Sequence, residues 1–378
     1  MDTSDGVERM FVGLPSPISG PAGAGGHPCQ GLLHRRRGSA PKVAIIATHY
    51  NVDFSEHYLA PLLAERGIAF LGWNTRYRGD EIHFLLDHAV VEIGVGVRYL
   101  REQLGVEKVI LLGNSGGASL MSCYQSQAVE PNIEPVAGMR PARGLDDLQP
   151  ADGYISLAAH PGRPDCLTSR LDASLLDEFD PTVTDPDLDL WNPENGPPYT
   201  EEFLARYREA QLARNGRITD WAEAELSRLR KAGVSDRVFA VSRSWADPRM
   251  IDPSIEPSDR RPNWSIGGDP QRANSSVWGL GVASTLRTWL SMWSMRTSQC
   301  RAEPHLARVT VPSYVLHATG DPGVYRSDAD RIFAAIASAD KEYAEISANH
   351  YLNDAPDTRD EGADLIAEWV AKKFGDLS

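Results

Sequence analysis

No apolar run in this chain approaches the roughly 20 residues that a membrane-spanning helix needs, so no membrane partner is expected. Cysteine is scarce. Cys29, Cys123, Cys166 and Cys300 are scattered, with no Cys-x-x-Cys spacing, and no pair of histidines falls at metal-ligand spacing. This suits free thiols in a reducing compartment better than a disulfide framework, and it points to neither a metal nor another cofactor. Positive charge is the minority sign, with 38 Lys and Arg against 52 Asp and Glu, a formal net charge of −14. That balance argues against nucleic acid or an anionic membrane as the main partner. The one basic run, Arg35-Arg36-Arg37, reads as a solvated loop or strand end. The segment Met1-Asp2-Thr3-Ser4-Asp5 is acidic and leads into no apolar stretch, so no signal peptide is expected and the location implied is cytoplasmic.

What is present is more specific. Residues Leu112 to Ser119 read Leu-Gly-Asn-Ser-Gly-Gly-Ala-Ser and follow the apolar run Lys108 to Leu112. This is Gly-x-Ser-x-Gly at the end of a strand and before a helix-like stretch. A strand that turns sharply into a helix strains the backbone at the turn residue and lifts its side chain clear of the sheet. Gly113 and Gly117 lack the side chains that would obstruct so tight a turn. Ser115 is therefore the candidate nucleophile.

Strand and helix patterns alternate along both ends of the chain. Strands are expected at Val7 to Leu14, Gly31 to Arg35, Lys42 to Thr48, Ala69 to Trp73, Lys108 to Leu112 and Gly153 to Ala158. A long helix from about Leu85 to Leu104 carries Val90, Ile93, Val97 and Leu100 on one face. Val309 to Leu316 and Glu342 to Ser347 resume the strand pattern, and a helix from Glu361 to Phe374 ends the chain. Such alternation means an α/β fold with a mostly parallel central sheet flanked by helices. Between Pro161 and Pro304 the rhythm breaks into helical stretches and Pro/Asp-rich loops. The expected organisation is a core in two parts, 1–160 and 305–378, with residues 161–304 inserted as a mainly helical lid domain. One lid helix is expected to start at Asp220, with Glu223 completing a capping box.

A serine hydroxyl needs a base beside it, usually a histidine oriented by a carboxylate. Partners of Ser115 should come from loops at the carboxyl ends of later strands. One such loop is Thr319-Gly320-Asp321-Pro322-Gly323 and another is Ser347-Ala348-Asn349-His350-Tyr351. The order is Ser115, Asp321, His350. Asp165, after an earlier core strand, is an alternative acid, and His317 reads as structural.

This ordered set resembles the α/β-hydrolase superfamily, from about Val7 to the end of the chain with the lid as an insertion. The resemblance implies an oxyanion hole with one donor from the Gly116 N–H and another from the loop after the third strand. Many members carry His-Gly-x in that loop; here it reads His49-Tyr50-Asn51. The second donor is then either the Tyr50 hydroxyl or the Asn51 N–H.

Seven of the nine tryptophans fall in the lid. Trp278, Trp289 and Trp293 are spaced to share a helical face and are candidate walls of a pocket for an apolar substrate. Asp247, Asp252, Asp259 and Asp269 read as turn residues without metal-ligand spacing. The function expected is a serine hydrolase acting on a small-molecule carboxylic ester or lactone with an apolar body. A thioesterase, amidase or carbon–carbon bond hydrolase would use the same triad, and a non-catalytic small-molecule-binding member of the fold is the alternative from another class. Self-association as a homo-oligomer stays open.

Overall fold

The structure is a computed structural model and describes residues 6–20 and 25–375; the acidic start at residues 1–5 lies outside them. Eight strands form one sheet: β1 (Val7–Leu14), β2 (Cys29–Arg36), β3 (Val43–Ala47), β4 (Ala69–Asn74), β5 (Lys108–Asn114), β6 (Gly153–Leu157), and, beyond the insertion, β9 (Ser313–Ala318) and β10 (Lys341–Ile346). Their order is β1-β2-β4-β3-β5-β6-β9-β10. The β1–β2 and β2–β4 pairs are antiparallel and the remaining pairs are parallel. Strands β3, β4, β5 and β9 are almost wholly buried because helices cover both faces, which is why their sequences run apolar without alternation.

On one face the helices Ala60–Glu65 and Thr358–Phe374 pack Leu63, Ile366 and Trp369 against Ile45, Phe70 and Ile110. On the other face Val90, Ile93 and Val97 of the helix Leu86–Arg98 join Met121 and Cys123 of the helix Gly117–Val129. Gly105, at φ +75°, ends the first of these stretches, as its missing side chain allows. All four cysteines are buried free thiols. Burial holds Cys300 up at about 12, so it is not a nucleophile near neutral pH. Among the described residues no helix is long and apolar enough to cross a membrane.

The segment between β6 and β9 holds the helix Arg163–Arg170, a 31-residue helix Glu201–Lys231, and a two-stranded antiparallel ribbon of β7 (Val238–Ala240) and β8 (Ala283–Thr285). The long helix starts at Thr200, whose hydroxyl accepts from Phe203 N at 3.1 Å. The start expected at Asp220 is therefore corrected. Asp220 and Glu223 lie mid-helix and point outward to Arg296, 2.7 Å from each. Phe203 and Tyr207, in the helix's first half, extend the buried face one way, and Ile218, Leu226 and Leu229 extend it the other. The first half packs in a small cluster with Tyr199, Trp245 and Met250. The second half joins the same apolar cluster as Val90 and Met121.

Candidate active site

Ser115 follows β5 and precedes the helix Gly117–Val129, with a left-handed backbone at φ +56°. A non-glycine residue held there stores strain that the surroundings must fix. The fixing groups are visible. Ser115 N donates to Leu157 O at 3.0 Å, and the Asn114 side-chain amide donates to the same carbonyl at 3.0 Å. A side chain on Gly113 would lie 2.1 Å from Ala118 Cα, and one on Gly117 would lie 2.3 Å from Thr48 O. Both glycines let helix and strand close on the turn, as the motif requires.

His350 and Asp321 come from the loops after β10 and β9. His350 Nδ1 lies 2.5 Å from Asp321 Oδ2. The other carboxylate oxygen accepts from Gly323 N at 2.8 Å and Val324 N at 3.0 Å, so the acid is locked in orientation. Ser115 and His350 line one cavity of about 310 Å³. Among the described residues no direct hydrogen bond joins Ser115 Oγ to the His350 ring. Asp165, the alternative acid, is taken up by Arg301 and Arg331, each at 3.0 Å. His317 is buried in β9.

The residues expected at the oxyanion hole are placed differently from one another. Gly116 follows Ser115, and a side chain there would meet the cavity's histidines. The Tyr50 hydroxyl is fully buried and bonds Ser119 Oγ at 2.9 Å, and Tyr50 does not line the cavity. Asn51 lines the cavity, but its N–H points to His49 Nδ1 at 3.5 Å, beside the Val52 N–H at 3.3 Å. Those two donors make Nδ1 an acceptor and leave the His49 proton on Nε2. Burial, with Arg163 nearby, pushes His49 well below the usual histidine range and keeps it neutral. A side chain on Gly116 would stand 3.0 Å from His49 Nε2 and 3.3 Å from His160 Nε2. His49 stands at the carboxyl end of β3, and its Nε2–H is free to donate toward the cavity. His160 follows β6 in the same way.

Of the tryptophans, Trp278 lines the cavity, half exposed and stacked on Trp245 at 5.2 Å between ring centroids. Trp289 and Trp293 are fully buried and do not line it. Trp289 Nε1 donates to Thr219 Oγ1 at 3.0 Å, and the Trp293 ring lies under the Arg163 guanidinium at 4.8 Å. The shared face fails because Gly279 to Val282 form an irregular turn between Trp278 and the helical residues. Asp247 caps a short helix and pairs with Arg208 and Arg249, each at 2.8 Å. Among the described residues no group of three or more His, Cys, Asp or Glu is placed to hold a metal ion.

Sheet order, elbow and insertion define the α/β-hydrolase fold. Solved structures share it across nearly their whole length. The α/β hydrolase GrgF from Penicillium sp. sh18 matches with a TM-score of 0.51 at 11% identity, covering 98% of this chain and 100% of that one. Est1E from Butyrivibrio proteoclasticus matches at 0.50 and 12% identity, covering 98% and 100%. DcsB, solved with a substrate analogue, matches at 0.51 and 10% identity, covering 97% and 100%. No protein-family model matches the chain, and no curated protein matches its sequence.

Proposed function

We propose that the protein is a serine hydrolase that cleaves a carboxylic ester or lactone through an acyl-enzyme on Ser115. The observation that carries this reading is the pairing of a strained Ser115 elbow with His350, oriented by Asp321 at 2.5 Å, on one cavity. His350 Nε2 takes the proton as Ser115 Oγ attacks the carbonyl carbon, and Asp321 stabilises the imidazolium. The oxyanion is held by the Gly116 N–H and by the His49 Nε2–H, in place of the Tyr50 hydroxyl or the Asn51 N–H. His350 then protonates the leaving oxygen. Water, deprotonated by the same ring, attacks the acyl carbon and frees Ser115.

Residues 161–304 act as the lid in this reading. Trp245, Ile266, Trp278 and Leu280 give the cavity its apolar wall. The test is burst kinetics with p-nitrophenyl acetate and butyrate, alongside fluorophosphonate labelling, in the wild type and Ser115→Ala. A burst and a label that both vanish in the variant are expected. Equal rates and labelling in the two proteins would remove Ser115 as nucleophile.

A further inference from the structure

One buried cation on this cavity has no ion-pair partner, although the neighbouring cavity that it also lines carries Asp165, Asp247 and Asp328. Arg170, only 4% exposed, ends the helix Arg163–Arg170 and lines the cavity with Ser115. Among the described residues it forms no ion pair, and its one side-chain hydrogen bond runs from Nη2 to Gly323 O at 2.9 Å. Its guanidinium sits 5.2 Å from the Trp245 ring centroid. Other arginines largely withdrawn from solvent are matched: the buried Arg163 by Glu81 and Arg214 by Glu178 at 2.7 Å, and the part-buried Arg249 by Asp247 at 2.8 Å. Arg260 lacks an ion pair but donates to the carbonyls of Arg249, Ile255 and Glu256. Arg170 keeps two nitrogens, Nε and Nη1, without a protein acceptor.

Taking a guanidinium out of water without a partner is strongly unfavourable. The charge count of the cavity wall points the same way. Arg163 and Arg170 stand against Glu81, the neutral His49 and His160 add nothing, and His350 is taken up with Asp321. Apart from the His350–Asp321 pair, Arg170 is thus the unmatched charge on this cavity wall, in a chain whose net charge is −14.

We propose that Arg170 receives a carboxylate of the substrate, so that the ester cleaved at Ser115 is anionic: a half-ester of a dicarboxylic acid or an ester of a hydroxy acid. The inference rests on the serine-hydrolase reading. The planar fork of arginine suits two oxygens of one carboxylate, and the stacked Trp245–Trp278 pair flanks the apolar stem between acid and ester.

Two probe pairs test it: mono-p-nitrophenyl glutarate against p-nitrophenyl hexanoate, and 4-acetoxybenzoate against phenyl acetate. They place the anion on the acyl or on the leaving side. In one pair kcat/KM is expected to favour the anion on the order of ten- to hundredfold, the scale of a charge-assisted contact. Arg170→Met collapses that ratio, Arg170→Lys restores part of it, and Glu81→Gln raises it. Opposite signs from Arg170→Met and Glu81→Gln are not what general loss of structure would give. Glutarate binding to Ser115→Ala, read by tryptophan fluorescence, needs no catalysis. Saturation that disappears when Arg170→Met is added supports the carboxylate site even if fluorophosphonate fails to label Ser115. No preference in either pair, with no saturable glutarate binding, overturns it.

Discussion

The Tyr50 phenol and the Ser119 hydroxyl meet at 2.9 Å behind the Ser115 elbow, and Ser119 Oγ donates onward to Gly116 O at 3.0 Å. Tyr50 thereby braces the elbow from inside. Tyr50→Phe should cost about 1 kcal/mol of stability, the net worth of one buried hydrogen bond. It should leave kcat on a p-nitrophenyl ester within about twofold, since the bond lies outside the cavity and away from the proposed oxyanion donors. His49→Ala should instead lower kcat by roughly 10²–10³, the loss typical of one oxyanion donor. Denaturant unfolding and steady-state kinetics on the two variants separate these outcomes.

Asp321→Asn is expected to keep the fold and lose the chemistry. An asparagine oxygen can still accept from Gly323 N and Val324 N, leaving its amide to donate toward His350 Nδ1. That forces the imidazole proton onto Nε2 and removes the base facing Ser115. A fall in kcat of roughly 10²–10⁴ with an unchanged melting temperature is the outcome to look for.

The tryptophans should divide by role. Trp278→Ala removes half-exposed surface from the cavity mouth, and it should raise KM for apolar esters with little change in unfolding free energy. Trp293→Ala opens a void in the core beneath Arg163, with an expected cost of about 3–5 kcal/mol. Chemical denaturation and a KM series over acyl chain length would show the split.

Stability should fall on acidification. His57 is fully buried, stacked on Tyr58 and Phe70, and burial lowers it to about 4 from the ordinary 6.5. The unfolded chain therefore binds the proton first, so stability is complete above about 6.5 and is lost as pH falls from there towards about 4. His49, His160 and His305 are shifted the same way by burial, so several groups add. Each contributes a slope of roughly 1 kcal/mol per pH unit inside its window. Urea midpoints at pH 7, 6 and 5 would report it, and His57→Gln should flatten the curve.

The elbow, the loops that carry Asp321 and His350, and the sheet were legible because each is written in adjacent residues. Gly113 and Gly117 announce a close approach, and unbroken apolar runs announce strands covered on both faces. What escaped depends on residues far apart in the chain. Asp220 has the chemistry of a helix start, but Thr200, 20 residues earlier, has it too, and only the packing of Tyr207 and Gln211 decides between them. Tyr50 and Asn51 offer equivalent donors in one loop of the sequence, and only the folded contacts with Ser119 and the His49 ring set them apart. Trp278 and Trp293 carry the same side chain, and the turn from Gly279 to Val282 sends one to the cavity and the other to the core. Arg170 gave no sequence signal, because a missing partner becomes visible only in three dimensions.

The long helix Glu201–Lys231 has a further consequence. At about 1.5 Å per residue it reaches some 45 Å, with Phe203 and Tyr207 in one apolar cluster and Leu226 and Leu229 in another. The seam between exchangeable cassette and permanent chassis thus runs across the middle of a single helix. Grafting a foreign specificity module onto this scaffold would succeed with a splice near Arg214 to Ile218, where ownership of the buried face changes hands. A splice at the ends of the insertion would instead remove Leu226, Leu229 and Trp289 from the apolar cluster that also holds Val90, Ile93 and Met121.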